Sequence, residues 1–85
     1  MDTVSVEFHD GSRNRVVDIE IPLFLKANEL VTALTRAYDL PIRLEDPSQV
    51  YMRSENPVAL IAGQQTLEKL GIANGTRIFF EPHRD

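Results

Sequence analysis

The sequence of 85 residues contains no cysteine and only two histidines, His9 and His83. Without cysteine, neither a disulfide framework nor a thiolate metal site can add stability, so a hydrophobic core must supply it. Two histidines near opposite ends of the chain give no sign of a Ser-His-Asp arrangement. We therefore expect no enzymatic activity, no metal and no cofactor, and the lack of cysteine fits a cytoplasmic location.

Long apolar runs and concentrated positive charge are absent as well. No stretch approaches the roughly 18 consecutive apolar residues of a membrane span, and the opening MDTVSVEF lacks the features of a secretion signal. The formal net charge is −4, and nine basic residues are scattered among thirteen acidic ones. We expect no membrane insertion, no nucleic-acid partner and a single domain over residues 1–85.

Two segments alternate between apolar and polar residues with the period of a half-buried strand. The first covers residues 3–8 and the second residues 17–21. Between them, Asp10 and Gly11 tolerate the positive φ angles that hairpin loops require. The pattern predicts a β-hairpin at the start of the chain.

The period then changes to that of an amphipathic helix over residues 26–39. Asn28 or a neighbour is expected to cap its start, and Pro41 prevents its continuation because proline has no N–H and restricts the preceding residue. The apolar stripe of this predicted helix consists of Leu30, Ala33, Leu34 and Ala37, extended by Tyr38.

The second half of the chain predicts a third strand over residues 49–53, a short edge strand over 58–61, one turn at 66–70 and a last strand over 77–81. One helix covering one sheet is the economical way to bury these faces. We predict an α+β fold of the β-grasp type, with a mixed sheet of four to five strands. Its predicted core comprises Val4, Val6, Phe8, Val17, Ile19, Ile21, Leu30, Leu34, Val50, Met52, Ile61, Leu67, Ile72, Ile78 and Phe80.

Two passages resemble known ubiquitin-like proteins. TLEKLGIANGTRIFF, residues 66–80, resembles the last part of ubiquitin, and VVDIEIPLFLKANELVTAL, residues 16–34, resembles the small bacterial proteins of the YukD/EsaB family. This second resemblance implies an accessory or regulatory component of a type VII secretion system that acts through contacts with other proteins of the apparatus. The residues that carry it are Pro22, Leu23, Asn28, Glu29 and Leu30.

Other ubiquitin-like functions stay open. A ubiquitin-like modifier or sulfur carrier needs a flexible Gly-Gly tail, whereas this sequence ends EPHRD, so we expect a protein that is not conjugated. The same fold also occurs as the cytosolic domain of a type VII membrane subunit, and an excised domain would look the same. Ubiquitin-like domains also dimerise through sheet faces or edges, so a homodimer is a further possibility.

The predicted binding site lies on the outer face of the sheet. If Met52 and Ile78 point toward the helix, then Tyr51 and Phe79 point away from it, because successive strand residues face opposite sides. The two rings should lie close together, flanked by Arg53 and Arg77, and such residues are enriched at protein interfaces. Tyr51 also falls where ubiquitin carries its main apolar contact residue. The alternative is a cross-strand pair that only stabilises the sheet, by about 0.2 to 1 kcal/mol.

Other candidates have simpler interpretations. His9 with Asp10 offers two possible metal ligands in a turn, fewer than a metal site needs. Glu45 and Asp46 form an acidic pair in a segment that is typical of an exposed loop. In the segment of Leu23, Phe24 and Leu25, we expect part to close the core and part to remain as contact surface.

Overall fold

The computed structural model describes residues 2–82, and in this part the chain forms five strands and one α-helix. A 3₁₀ turn, Pro47–Gln49, precedes the third strand. The elements in chain order are β1 (Thr3–Asp10), β2 (Arg15–Pro22), α1 (Ala27–Tyr38), β3 (Met52–Glu55), β4 (Ala59–Ile61) and β5 (Arg77–Phe80).

The five strands form one mixed sheet in the order β2-β1-β5-β3-β4. β1 pairs with β2 in an antiparallel and with β5 in a parallel manner, while β3 is antiparallel to both β4 and β5. The central parallel pair requires a crossover, because parallel strands cannot be joined by a tight turn. The crossover contains α1, which covers one face of the sheet. The predicted β-grasp architecture is confirmed.

The β1–β2 hairpin turns differently from the prediction. The positive φ lies at Asn14, with φ 52°, and not at Asp10 or Gly11. Gly11 is needed for another reason, since a Cβ there would lie 2.6 Å from the carbonyl oxygen of Phe80. Its N–H donates a hydrogen bond to that same oxygen at 2.9 Å. Gly11 thus allows the hairpin to approach the end of β5.

Asp10 holds the hairpin turn from inside the protein, where only 1% of its surface is exposed. Its Oδ1 accepts hydrogen bonds from the N–H of Ser12, at 2.9 Å, and from the Ser12 hydroxyl. Its Oδ2 lies 3.5 Å from a guanidinium nitrogen of Arg13 and 3.8 Å from one of Arg15. Burial raises the pKa of Asp10, but the Ser12 hydrogen bonds and the Arg13 charge outweigh it, so the pKa lies below its ordinary value.

The start of helix α1 is fixed by a hydrogen bond from the backbone N–H of its N-cap residue, and its end by a residue in the left-handed backbone conformation. Lys26 occupies the N-cap position, and its N–H donates to the Glu29 carboxylate at 2.9 Å, whereas Asn28 lies inside the first turn. A lysine side chain has no hydrogen-bond acceptor and is not a usual N-cap residue. The sequence therefore did not identify Lys26 as the start of the helix. The helix ends at Asp39, with φ 52°, ahead of Pro41, as predicted. Among residues 2–82, no helix has the length and apolar composition needed to cross a membrane.

The predicted helix stripe is partly wrong. Ala33 and Ala37 are exposed, because the buried side of α1 is rotated toward residues that the apolar pattern missed. Thr35 is buried because its hydroxyl donates to the carbonyl of Val31 at 2.7 Å, which satisfies the polar group within the helix. The buried residues of α1 are Ala27, Leu30, Val31, Leu34 and Thr35.

The core lies between α1 and the sheet. Of the predicted core residues, Val17, Ile19 and Val50 are only partly buried and pack against its edge, while the others are buried. Ala27, Val31 and Leu40 belong to the core but were not predicted. The buried apolar side chains are Val4, Val6, Phe8, Ile21, Ala27, Leu30, Val31, Leu34, Leu40, Met52, Ile61, Leu67, Ile72, Ile78 and Phe80.

We predict that Asp10→Asn lowers the free energy of unfolding by about 1.5 to 3 kcal/mol at pH 7, because the buried negative charge that faces Ser12, Arg13 and Arg15 is lost. A pKa below its ordinary value means that ionised Asp10 stabilises the fold above the unfolded pKa of about 4. This contribution disappears as the pH falls through the folded pKa. Urea unfolding followed by circular dichroism at pH 7 and near pH 2.5 measures both effects.

Asp39→Asn is the matched control, since the fully exposed Asp39 carboxylate lies 4.0 Å from Arg13. This control should change stability little at either pH. An equal loss in both variants, or a loss in Asp10→Asn that does not shrink in acid, would contradict the role assigned to Asp10.

Candidate functional site

The face of the sheet turned away from α1, called here the open face, carries the four predicted site residues. Met52, Ile78 and Phe80 are buried toward the helix. Tyr51 therefore points outward, with 43% of its surface exposed, and Phe79 lies half-buried on the same side. Arg53 and Arg77 alternate with the buried residues along β3 and β5, so their side chains also lie on the open face. The alternation that separates the two faces is the one that we predicted.

Strand pairing aligns one residue from each of the five strands across the open face. The two outer members of this central row are apolar and strongly exposed, with 56% of the surface of Val16 and 62% of that of Leu60 accessible. An apolar side chain therefore marks each edge of the sheet on this face. The central row runs Val16, His9, Phe79, Arg53, Leu60.

Phe79 lies at the middle of the central row and is covered from both sides. The His9 ring centroid lies 4.5 Å from that of Phe79, and the guanidinium carbon of Arg53 lies 4.3 Å from the ring centroid. The second distance is that of a cation–π contact. Phe79 is therefore half-buried although no other layer of the described chain covers it.

Tyr51 and Phe79 both line the same hollow, but they are not the directly opposed cross-strand pair of the alternative interpretation. Arg53 is the cross-strand partner of Phe79, so Tyr51 lies two residues further along and is diagonal to it. The ring that packs on Phe79 is His9, on the neighbouring parallel strand. The alternative of a Tyr51–Phe79 pair that only stabilises the sheet therefore loses its structural basis. Tyr51 is left as an exposed ring.

A hollow of about 110 Å³ lies at the end of the sheet where β3 begins and β5 ends, and Tyr51 and Phe79 line it together with Met52 and Phe80. Pro41 and Ile42, in the segment after α1, form another part of its lining, and Arg53 lies at its side. Ligand pockets measure roughly 300 to 1,000 Å³, and a cavity of about 150 Å³ holds one benzene-sized group. The hollow thus fits a single apolar side chain better than a small-molecule ligand.

The two arginines of the site are held by ion pairs. Arg53 donates from Nε to Glu81 at 2.8 Å and from Nη1 to Glu55 at 3.2 Å. Arg77 lies 3.5 Å from Glu55. The hydrogen bond from Arg53 and its positive charge lower the pKa of the Glu81 carboxyl. The arrangement fixes Arg53 over Phe79 and leaves little net charge on this part of the face.

Sequence reasoning missed His9, Val16 and Leu60. The strand alternation that identified Tyr51 and Phe79 also applies to these positions, so their face was predictable. Their alignment in one row was not predictable, because it depends on the register between strands that are distant in sequence. Register is a property of the assembled sheet.

The weaker candidates have structural roles. His9 and Asp10 lie on opposite faces of β1, so they cannot share a metal ion. The Glu45 carboxylate accepts a hydrogen bond from Arg43 at 3.0 Å, and Asp46 caps the 3₁₀ turn by accepting from the N–H of Ser48 at 3.1 Å. Hydrogen bonds from the Ser48 side chain and backbone lower the pKa of Asp46, which suits an ionised cap.

The segment of Leu23, Phe24 and Leu25 is partly buried and partly exposed, as predicted. Leu23 and Leu25 are partly buried against the core, whereas 59% of the surface of Phe24 is exposed. The backbone of this segment is also hydrogen-bonded to the part of the chain before β5, because the N–H of Leu67 donates to the carbonyl of Leu25 at 2.8 Å. Phe24 therefore offers an exposed apolar side chain away from the hollow.

The protein has the ubiquitin-like β-grasp fold, as comparison with solved structures shows. It is similar to a ubiquitin-like domain from tubulin-binding cofactor B, with a TM-score of 0.68 and 18% identity over 92% of this chain and 87% of that one. The C-terminal ubiquitin-like domain of mouse tubulin-specific chaperone e gives a TM-score of 0.64 and 13% identity over 98% and 92% of the two chains. The UBL domain of Plasmodium falciparum Dsk2 gives 0.59 and 15% over 92% and 97%.

These similarities concern the fold, because sequence identity is low in every case. No protein-family model and no curated protein matches the chain. None of these three structures indicates the YukD/EsaB family in particular, so a functional assignment must come from the surface of this protein.

We predict that Phe79→Leu moves the side-chain proton resonances of Arg53 downfield, toward the positions of an unstructured arginine. The reason is that an aromatic ring shields nuclei lying over its face, and Arg53 lies 4.3 Å from the Phe79 centroid. Proton NMR of the folded variant measures the change. Phe24→Leu removes an exposed ring elsewhere and should leave Arg53 unaffected. Identical Arg53 shifts in both variants would contradict the stacked geometry.

Proposed function

We propose that the protein is a non-conjugating, cytoplasmic ubiquitin-like interaction module that binds a protein partner through the open face. The observation that carries the proposal is the hollow lined by Tyr51 and Phe79 at the border of the open face, which presents further apolar residues. The proposed partner-binding residues are Tyr51, Phe79, Arg53 and Arg77.

The composition and rigidity of this face suit an interface. Tyrosine and arginine are enriched among the residues that contribute most to binding energy, and a central pocket is their usual setting. Arg53 is already oriented by Glu55 and Glu81, so binding need not order it. Side chains that are ordered in advance reduce the entropic cost of association.

We further propose that the partner belongs to a type VII secretion apparatus, in which the protein acts as an accessory or regulatory component. The support is the resemblance of residues 16–34 to the YukD/EsaB proteins. Among the residues that carry it, Leu30 is buried in the core and Glu29 caps α1. Since these positions serve the fold, the assignment to this system needs its own test.

Two alternatives belong to the same proposal. A modifier or sulfur carrier would act through the C-terminal residues, and residues 83–85 lie outside the described part of the chain. The detached domain of a type VII membrane subunit would use the same open face. Incubation with ATP and an activating enzyme tests the first, since an adenylate or thioester at Asp85 would exclude a non-conjugating role.

We predict that Tyr51→Asp combined with Leu60→Asp weakens partner binding by about 30-fold or more, the effect of losing about 2 kcal/mol at an interface centre. Both side chains are exposed, so the free energy of unfolding should change by less than about 1 kcal/mol. Phe24→Asp is the control, because it places the same charge on an exposed apolar position away from the hollow.

The partner is identified by photo-crosslinking from position 51 in bacterial cells, followed by mass spectrometry. Crosslinks to secretion-apparatus proteins would support both parts of the proposal. Crosslinks to a protein of another system would refute the type VII role and retain the binding face. Equal binding by the double variant and by Phe24→Asp would refute the face.

A further inference from the structure

We propose that the partner segment on the open face is basic: an amphipathic helix that places one apolar side chain in the hollow and its lysine or arginine residues over β1 and β2. The inference rests on the proposed function, because it specifies the partner of the same face. Three observations support it: the distribution of charge, the spacing across the sheet and the sign of the chain's own charge.

A second row of residues crosses the open face beside the central row and consists entirely of charged side chains. In this row Glu7 lies directly opposite Asp18. Like charges that are directly opposed on neighbouring strands destabilise a sheet. A cationic partner would relieve that repulsion. The charged row runs Asp18, Glu7, Arg77, Glu55 from β2 to β3.

The charges of the open face are balanced on one side only. On β3 and β5, Glu55 and Glu81 pair with Arg53 and Arg77. On β1 and β2, three carboxylates have no lysine or arginine partner within residues 2–82, and only one of them contacts His9, at 3.1 Å. These three residues, called the acidic half, are Glu7, Asp18 and Glu20.

The acidic half lies within reach of a segment seated in the hollow. Phe79 and Asp18 are separated by two strand spacings and two residues along the strand. With about 4.8 Å between strands and about 3.4 Å per residue, the distance is about 12 Å. Eight residues of α-helix span about the same length. A helix of two to three turns therefore covers both features.

A helix suits this surface better than an extended peptide. The backbone groups of the inner strands are already paired within the sheet, so an added strand would bind at an edge and not on the face. A helix satisfies its own backbone hydrogen bonds and needs only side-chain contacts. The apolar residues of the central row and the adjacent carboxylates match one apolar and one basic stripe of such a helix.

A second copy of the protein fits less well. The chain carries a net charge of −4, and a two-fold interface brings the same surface of each copy together. The acidic half of one copy would meet either the acidic half or the balanced half of the other. Neither provides unpaired positive charge, so the geometry favours a different, basic chain.

The experiment uses two synthetic peptides of 14 residues with the same leucine stripe, one bearing lysine and arginine on its polar positions and the other glutamate. Binding is measured by isothermal titration calorimetry at two salt concentrations, and the contact surface by amide shifts in NMR. We expect the basic peptide to bind and to shift residues of the open face. Its affinity should fall as salt rises, because the attraction is screened.

The decisive variant is Glu7→Gln, Asp18→Asn and Glu20→Gln combined, which neutralises the acidic half. We expect the affinity for the basic peptide to fall at least about tenfold, because the charge complementarity between the peptide and the acidic half is lost. The matched control neutralises three carboxylates elsewhere and should bind as the unaltered protein does. Circular dichroism confirms that both variants are folded. The control positions are Asp39, Glu45 and Glu68, all exposed.

The inference is overturned if the acidic peptide binds as well as the basic one, or if the decisive variant and the control bind equally. It is also overturned if sedimentation shows a dimer that the Tyr51→Asp, Leu60→Asp variant dissociates. These results are distinct from failure of the proposed function. A cellular partner that is lost on changing Tyr51 and Leu60 but retained by the decisive variant would uphold the binding face and refute only its basic partner.

Discussion

The parallel pairing of β1 with β5 is the contact on which the rest of the structure depends. It joins residues about seventy positions apart in the chain, since His9 pairs with Phe79 and Phe8 with Ile78. Parallel strands need a long crossover, and here the crossover contains α1, which buries one face of the sheet. The same pairing leaves the other face uncovered and places Phe79 beside His9 at its centre. The core and the candidate binding face thus have one common origin.

The open face combines order with unbalanced charge. Arg53 is held over Phe79 by two carboxylates, so its side chain is already oriented before any partner arrives. On the neighbouring strands β1 and β2, Glu7 and Asp18 face each other, while Arg77, the β5 neighbour of Glu7, forms its ion pair with Glu55. In the proposed binding role, the charge of the partner would determine specificity and association rate more than total affinity.

The fold alone does not decide what such a protein does. Ubiquitin-like domains of low sequence identity share this backbone, so the backbone by itself names no partner. The passage from β2 to α1 illustrates the difference, because Glu29 and Leu30 serve the helix start and the core. Residues of that kind indicate a fold, whereas the proposed binding function depends on the exposed Tyr51 and Leu60.

The sequence by itself determined which side of each strand faces the core and where α1 ends. Alternation in a strand and the restriction imposed by Pro41 are local properties, so they follow from neighbouring residues alone. Only the tertiary structure decided that Phe79 packs against His9 and Arg53, that Tyr51 lies alone beside the hollow, and that Asp10 is buried with Ser12. Those contacts depend on the register between distant strands, which no local pattern specifies.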